Sequence, residues 1–214
     1  MKDVHERIAR IALDAGGRYG FALAGGYAVS AHGIGDRPSG DVDIFTDWDA
    51  RADFPSAVTA VEDALDYYGF VVYEAKRSDT FARLLLTDGN GAPPEKLEMS
   101  ADWRVHPPVQ LEIGPVLHPD DAVANKMAAL YGRAAPRDFL DVDAVLESGR
   151  YTRERLLELA EAADTGFDRG YFAEALGALA HIPDAQFGMY GIAAEALPAM
   201  RERFAQWRSE LSNG

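Results

Sequence analysis

Asp41 and Asp43 flank one valine in the run Asp41-Val42-Asp43-Ile44-Phe45. Alternating polar and apolar residues have the two-residue period of a strand, where positions i and i+2 face the same way. Two carboxylates held side by side repel each other unless a cation lies between them. Oxygen ligands with open positions suit Mg²⁺, which keeps waters and phosphate oxygens as its other ligands. Of two such ions, one would acidify an attacking hydroxyl and the other would hold a triphosphate and its leaving pyrophosphate. Upstream, the apolar run Phe21-Ala22-Leu23-Ala24 meets Gly25-Gly26. Glycine lets a backbone approach a ligand closely, and a helix starting there favours phosphate. The plainer readings are a solvated strand edge for the aspartates and a tight turn for the glycines. The order of the two elements favours the cation reading.

The elements that must position these groups follow from periodicity. Val4, Ile8, Ile11 and Ala12 have helical spacing over residues 2–15, and Gly16-Gly17 ends that helix. Residues 21–24 predict a buried strand, 27–32 a short helix, 33–40 a glycine-rich loop and 41–45 a strand. A helix is expected over 57–68. Strands are expected over 70–73, 81–87 and 96–100, with turn signals at Asp88-Gly89-Asn90-Gly91 between the last two. Residues 110–117 read as one more short strand. From Pro119 the pattern is helical, over about 120–132, 137–147, 152–164, 168–179 and 189–211. The expected architecture is α+β: a mixed sheet flanked by helices over residues 1–117, then a C-terminal helical bundle over 118–214 packed on that core.

The composition bounds the partners. Among 214 residues, 35 are acidic and 21 basic, a formal charge of −14. Nonspecific nucleic-acid binding needs a basic surface that releases counterions. A polynucleotide substrate would therefore require a local basic patch. Cysteine is absent, which excludes disulfides, thiolate catalysis and cysteine-ligated zinc. The N-terminal stretch has scattered charges and does not read as a signal peptide, and no run reaches membrane-spanning length. A soluble, cytoplasmic protein is expected.

Ala24-Gly25-Gly26 followed by Arg37-Pro38-Ser39-Gly40-Asp41-Val42-Asp43-Ile44 resembles the signature of the polymerase-β-type nucleotidyltransferase superfamily. Leu117-His118-Pro119-Asp120-Asp121 through Lys126, with Arg137-Asp138-Phe139-Leu140-Asp141-Val142, resembles the AbiEii-type toxin branch of type IV toxin–antitoxin systems. The resemblance implies that Asp41, Asp43, Glu98, Lys126 and Asp141 are catalytic. Gly25, Gly26, Arg37, Ser39 and Lys126 would bind the nucleotide, and Asp41, Asp43 and Glu98 would hold Mg²⁺, one ion or two. It further implies NTP as substrate, an RNA, tRNA or protein acceptor, and a cognate antitoxin. Gly26 stands where much of the superfamily has serine, so phosphate contacts would rest on backbone N–H groups.

The third carboxylate is chosen by strand parity. Glu98 shares a face with Lys96 and Ser100, opposite Leu97 and Met99; Asp102 has the same parity but is expected past the strand end. Glu98 could instead be a surface charge paired with Lys96 or Arg83. Lys126 lies on a helical stripe with Val123, Met127 and Leu130, where a lysine is costly without an anion. Either a triphosphate or a carboxylate would serve, as would snorkelling to solvent. Arg137, Asp138 and Asp141 fit ion pairing and capping as well as catalysis, and Arg37 could steer a phosphate or pair with Asp36. The five histidines form no metal-spaced pair and read as structural or surface. Tyr171, Phe172, Phe187 and Tyr190 read as core. Two other functions compete: transfer to a small hydroxyl compound, as in aminoglycoside-modifying relatives, and a catalytically silent interaction protein.

Overall fold

The computed structural model describes every residue except Asn90 and Gly214. The chain divides into two compact units. The first comprises Met1–Gly33 and Pro38–Ala122; the second comprises Ile34–Arg37 and Val123–Gly214.

The first unit is built on a seven-stranded mixed sheet, counted among the described residues, in the order β3-β4-β5-β2-β1-β7-β6. The strands are β1 (Ala22–Leu23), β2 (Val42–Asp47), β3 (Val71–Arg77), β4 (Phe81–Thr87), β5 (Glu95–Asp102), β6 (Val109–Leu111) and β7 (Gly114–Val116). Helices α1 (Asp3–Gly16), α2 (Gly25–Ala31) and α3 (Phe54–Tyr67) flank it. α1 buries Ile8, Ala9, Ala12 and Leu13; α3 buries Phe54, Ala57, Val58, Val61 and Leu65. Both stripes have the three-to-four-residue spacing of an amphipathic helix. In β2 the buried set is Val42, Ile44 and Thr46; in β5 it is Leu97, Met99 and Ala101. β2 and β5 run parallel, pairing Val42 with Leu97 and Asp43 with Glu98. One sheet face is therefore apolar at both central strands. The other carries Asp41, Asp43, Lys96 and Glu98.

Residues 110–117, expected as one strand, form the hairpin β6–β7 instead. Gly114, at φ 127°, turns the chain, a conformation that the apolar run alone does not signal. β5 is longer than expected and includes Asp102. The turn expected at 88–91 includes Asn90, which lies outside the described residues; the flanking strands pair antiparallel.

In the second unit, α4 (Pro119–Arg133), whose first residues belong to the sheet unit, is followed by α5 (Pro136–Glu147), α6 (Arg153–Ala163), α7 (Arg169–Gly177), α8 (Ala185–Gly188) and α9 (Leu197–Asn213). Phe139 meets Phe204 edge-on at 5.3 Å, and Phe172 meets Trp207 at 5.2 Å, all four fully buried. Such aromatic pairs add about 0.5–1.5 kcal/mol beyond their area. The helix expected over 189–211 begins only at Leu197. Gly191 sits at φ 76° and Pro198 follows the new start, so the apolar periodicity ran through a turn. Ile34, 2% exposed, belongs to this unit's core, and Gly35 (φ 65°) would bring a side chain to 2.9 Å from Ala144 Cβ. Among the described residues no helix is long and apolar enough to cross a membrane.

Candidate active site

β1 ends at Leu23, Ala24 N–H donates to the Asp43 carbonyl at 2.8 Å, and the chain turns into α2 at Gly25. Gly25 has φ 61°, and a Cβ there would lie 1.9 Å from Asp43 Oδ2 and 2.6 Å from its Cγ. The glycine bend and the second aspartate are thus in van der Waals contact. Ala24, the N-cap of α2, has no side chain that could accept the helix's first N–H groups. With only seven residues, α2 offers these local donors more than the summed dipole of a long helix.

Asp41 is buried. Its Oδ1 accepts the Ser39 hydroxyl at 3.0 Å, and its Oδ2 pairs with Lys96 Nζ at 2.7 Å. The same ammonium lies 3.4 Å from Glu98 Oε1, which also accepts Arg83 at 2.9 Å. Burial would lower the Lys96 pKa. Its hydrogen bond to Asp41 and the charges of Asp41 and Glu98 together outweigh that and hold it above the usual lysine value. Asp102 pairs in register with Asp47, four residues along the strand from Glu98, a separation of roughly 13 Å at the rise of a strand. Burial raises its pKa, partly offset by the Trp103 N–H it accepts.

A hydrogen-bond chain supports the segment before Asp41. His5, fully buried on α1, contacts Glu95 through Nε2 at 2.7 Å and the Tyr27 hydroxyl through Nδ1 at 2.6 Å. That hydroxyl also lies 3.3 Å from the Ser39 carbonyl. Burial first, then the charges of Glu95 and Asp41, push the Tyr27 pKa up against the lowering bond from Lys2. The sequence reading missed this chain, because only the sheet register brings Glu95 beside α1.

The second unit holds its own charge cluster. Asp141 accepts Arg37 through Nε and a terminal nitrogen at 2.9 and 2.7 Å, and pairs with Lys126 Nζ at 2.9 Å. Lys126 and Asp141 are about 10% exposed. The anion that Lys126 requires is supplied by Asp141, and the partner found for Arg37 is Asp141 rather than the Asp36 considered from sequence. Tyr190, expected in the core, is half-buried under the Arg37 guanidinium, 5.4 Å from its ring centre. Tyr171 is 53% exposed, whereas Phe172 and Phe187 are core as expected. Asp138 is buried and bonds Arg133 twice (2.6 and 2.7 Å) and the Ala135 N–H. It closes the start of α5 and holds the end of α4. Arg203 of α9 is held by Asp143 at 2.8 and 2.6 Å, a pairing that no local motif signals. Arg201 is likewise engaged, by Asp184 and two carbonyls.

The model of the family described as nucleotidyl transferase AbiEii toxin, type IV TA system, matches residues 8–211. The chain belongs to this family. No curated protein matches this chain. Among solved structures, the AbiEii-family chain is similar to JHP933 from Helicobacter pylori, with TM-score 0.56, 18% identity, and 98% of this chain and 93% of that one covered. It is also similar to the nucleotidyltransferase toxin MenT4 from Mycobacterium tuberculosis, with TM-score 0.56, 17% identity, and coverage of 98% and 90%. At these identities the likeness is one of fold. It agrees with the mixed sheet flanked by helices expected from the sequence.

Proposed function

We propose that this protein is a metal-dependent nucleotidyltransferase that moves NMP from an NTP to an acceptor hydroxyl on RNA, tRNA or protein. The observation that carries the reading is the contact of Asp43 with the Gly25 bend, with Asp41 two residues away and Glu98 opposite Asp43 in the ladder. Membership of a type IV toxin family supports a toxin-like role, a cognate antitoxin and a cytoplasmic setting.

The donor set fits Mg²⁺: three carboxylates on two adjacent strands and the residue just before one of them, two of the three already sharing a cation in the Lys96 ammonium. Asp41, Asp43 and Glu98 would hold it, and when bound it supplies charge for the triphosphate and acidifies the acceptor hydroxyl. The chain's own groups do the rest. The N–H groups at Gly25 and Gly26 orient phosphate oxygens. Ser39 and Lys96 fix the Asp41 carboxylate. Glu98 receives the acceptor proton as the acceptor oxygen bonds to the α-phosphorus and the bond to pyrophosphate breaks. Lys126 and Arg37, steered by Asp141, are assigned to the nucleotide phosphates on the strength of the family pattern.

A second reading is transfer to a small hydroxyl compound. It is favoured by the −14 charge and by the engagement of Arg201 and Arg203 with carboxylates, which weaken a basic groove. Incubation with Mg²⁺ and each labelled NTP, with and without total tRNA, tests these readings. Label on tRNA or protein supports the first, and label on small acceptors alone supports the second. Absence of both transfer and Mg²⁺-dependent NTP binding by calorimetry overturns the enzymatic reading in favour of a silent interaction protein.

A further inference from the structure

The five histidines read from sequence as structural or surface, without metal spacing. The fold brings two of them together. His106, in the loop after β5, stacks on His118, just before α4, with ring centres 4.2 Å apart. One ligating atom from each of His106, His118 and Asp120 lies within 4.8 Å of the others. All three belong to the sheet unit. The histidines are twelve positions apart, with a loop and a hairpin between them, so helical spacing rules could not pair them.

We propose that His106, His118 and Asp120 form a binding site for a zinc-class dication whose ligands are distinct from Asp41, Asp43 and Glu98. Two imidazoles and one carboxylate are a nitrogen-rich set that selects zinc-class ions over Mg²⁺. Three protein ligands leave a fourth position for water.

The surroundings orient the two rings, and the stacked pair must splay for both lone pairs to reach one ion. Asp121, 4% exposed, accepts the backbone N–H groups of Val105 and His106 at 3.2 and 2.9 Å, and its carboxylate lies 3.1 Å from His106 Nδ1. A carboxylate on Nδ1 directs the ring proton there and leaves the Nε2 lone pair outward, the arrangement that orients metal-binding histidines. His118 Nδ1 accepts the Asp120 N–H at 3.2 Å, which places its lone pair on Nδ1. That bond is at the long end of the normal range, and a metal competes for the same lone pair. A tetrahedral site with bonds of ~2.0–2.1 Å puts ligand atoms roughly 3.3 Å apart. The three atoms must therefore close by roughly 1.5 Å or less. A cation beside a helix start opposes the dipole, and Asp120 and Asp121 in the first turn of α4 offset this. Bound metal would tie the β5–β6 loop to the start of α4.

Untagged protein, stripped with a chelator and desalted, is titrated with Zn²⁺ in competition with a chromophoric zinc chelator, and with Co²⁺ followed by its visible d–d band. One equivalent with nitrogen ligation is expected, retained in D41N/D43N. His106→Gln and His118→Asn should each weaken binding by at least about tenfold, and Asp121→Asn by about 10–100-fold through loss of ring orientation. Asparagine keeps the helix cap at 118, so His118→Asn separates ligation from folding. In wild-type protein, Zn²⁺ should also protect His106 and His118 from diethyl pyrocarbonate, a readout that needs no variant. No zinc binding, binding unchanged in both histidine variants, or equal labelling with and without Zn²⁺ overturns the proposal.

Discussion

A methyl group placed on Gly25 would fall 1.9 Å from Oδ2 of Asp43. The bend that would receive phosphate and the carboxylate that would hold metal are thus one packing unit, and each constrains the other. Gly25→Ala should cost at least about 1–2 kcal/mol from its φ of 61° alone, and should abolish transfer by displacing Asp43. Asp43→Ala should relieve the clash without restoring activity. Melting of both single variants and the double would then show coupling of about 0.5–3 kcal/mol. Strict additivity would mean that the two residues do not press on each other.

The two aspartates should respond differently to amidation. Asp43→Asn and Asp41→Asn are each expected to lower transfer by about two to three orders of magnitude, the scale of losing one charge-stabilising contact. In chelator, Asp43→Asn should melt no lower than wild type, because one carboxylate of a repelling pair is neutralised. Asp41→Asn should melt lower, since Lys96 loses its partner at 2.7 Å. Calorimetry in excess chelator compares them, and identical melting would contradict the asymmetry.

Glu98 and Asp102 can be told apart by activity and pH together. Glu98→Gln should lose transfer, whereas Asp102→Asn should keep it. Burial raises the Asp102 pKa in the folded state. Its ionised form therefore opposes folding, and the penalty grows as pH rises through the raised value. Asp102→Asn should accordingly raise the melting temperature at neutral pH, with the gain vanishing below about pH 4, where the unfolded carboxyl is also protonated. A gain that persists unchanged into acid would exclude this cause.

Lys96 carries the opposite signature. Its folded-state pKa stands above the ordinary lysine value. Its contribution is complete below about pH 10 and is lost as pH rises through the raised value. Lys96→Met should lower stability at neutral pH, and the difference from wild type should shrink on alkaline titration. Denaturant melts between neutral pH and strongly alkaline pH check the slope.

In the helical unit, Asp141→Ala leaves Lys126 and Arg37 facing each other, both less than one-fifth exposed. A loss of about 3–5 kcal/mol is expected, as for breaking a buried ion pair. Lys126→Ala leaves Arg37 to satisfy Asp141 and should cost less stability. It should weaken NTP binding instead. A large fall in melting temperature with unchanged NTP affinity would mark Lys126 as purely structural.

Much of the sheet unit could be read from residue order. The alternation of Val42 and Ile44 against Asp41 and Asp43 gives the strand and its two faces, although Phe45 shares the carboxylate face, and parity puts Glu98 with Lys96. Less legible was whatever depends on register or on left-handed backbone. The Lys96–Asp41 pair and the His5–Tyr27 chain exist because β2 runs beside β5 and α1 packs nearby. The hairpin at Gly114 and the late start of α9 each turn on a positive-φ glycine inside an apolar pattern. The histidine pair joins a loop to a helix start, and no local period spans that distance. The assignment of Lys126 to a carboxylate was among the readings left open, and only the packing of α4 with α5 names Asp141.

Residues 34–37 belong to the helical unit although the chain on both sides belongs to the sheet unit. Arg37 meets Asp141 across 104 residues of sequence. During translation at about 5–20 residues per second, that carboxylate emerges roughly 5–20 s after the guanidinium it anchors. A nascent or prematurely stopped chain ending before residue 141 carries the whole aspartate strand and glycine bend, yet its intervening loop has nothing to dock on. Fragments cut at the helical boundary would inherit the same defect, and restoring them calls for the missing half in trans rather than a longer linker.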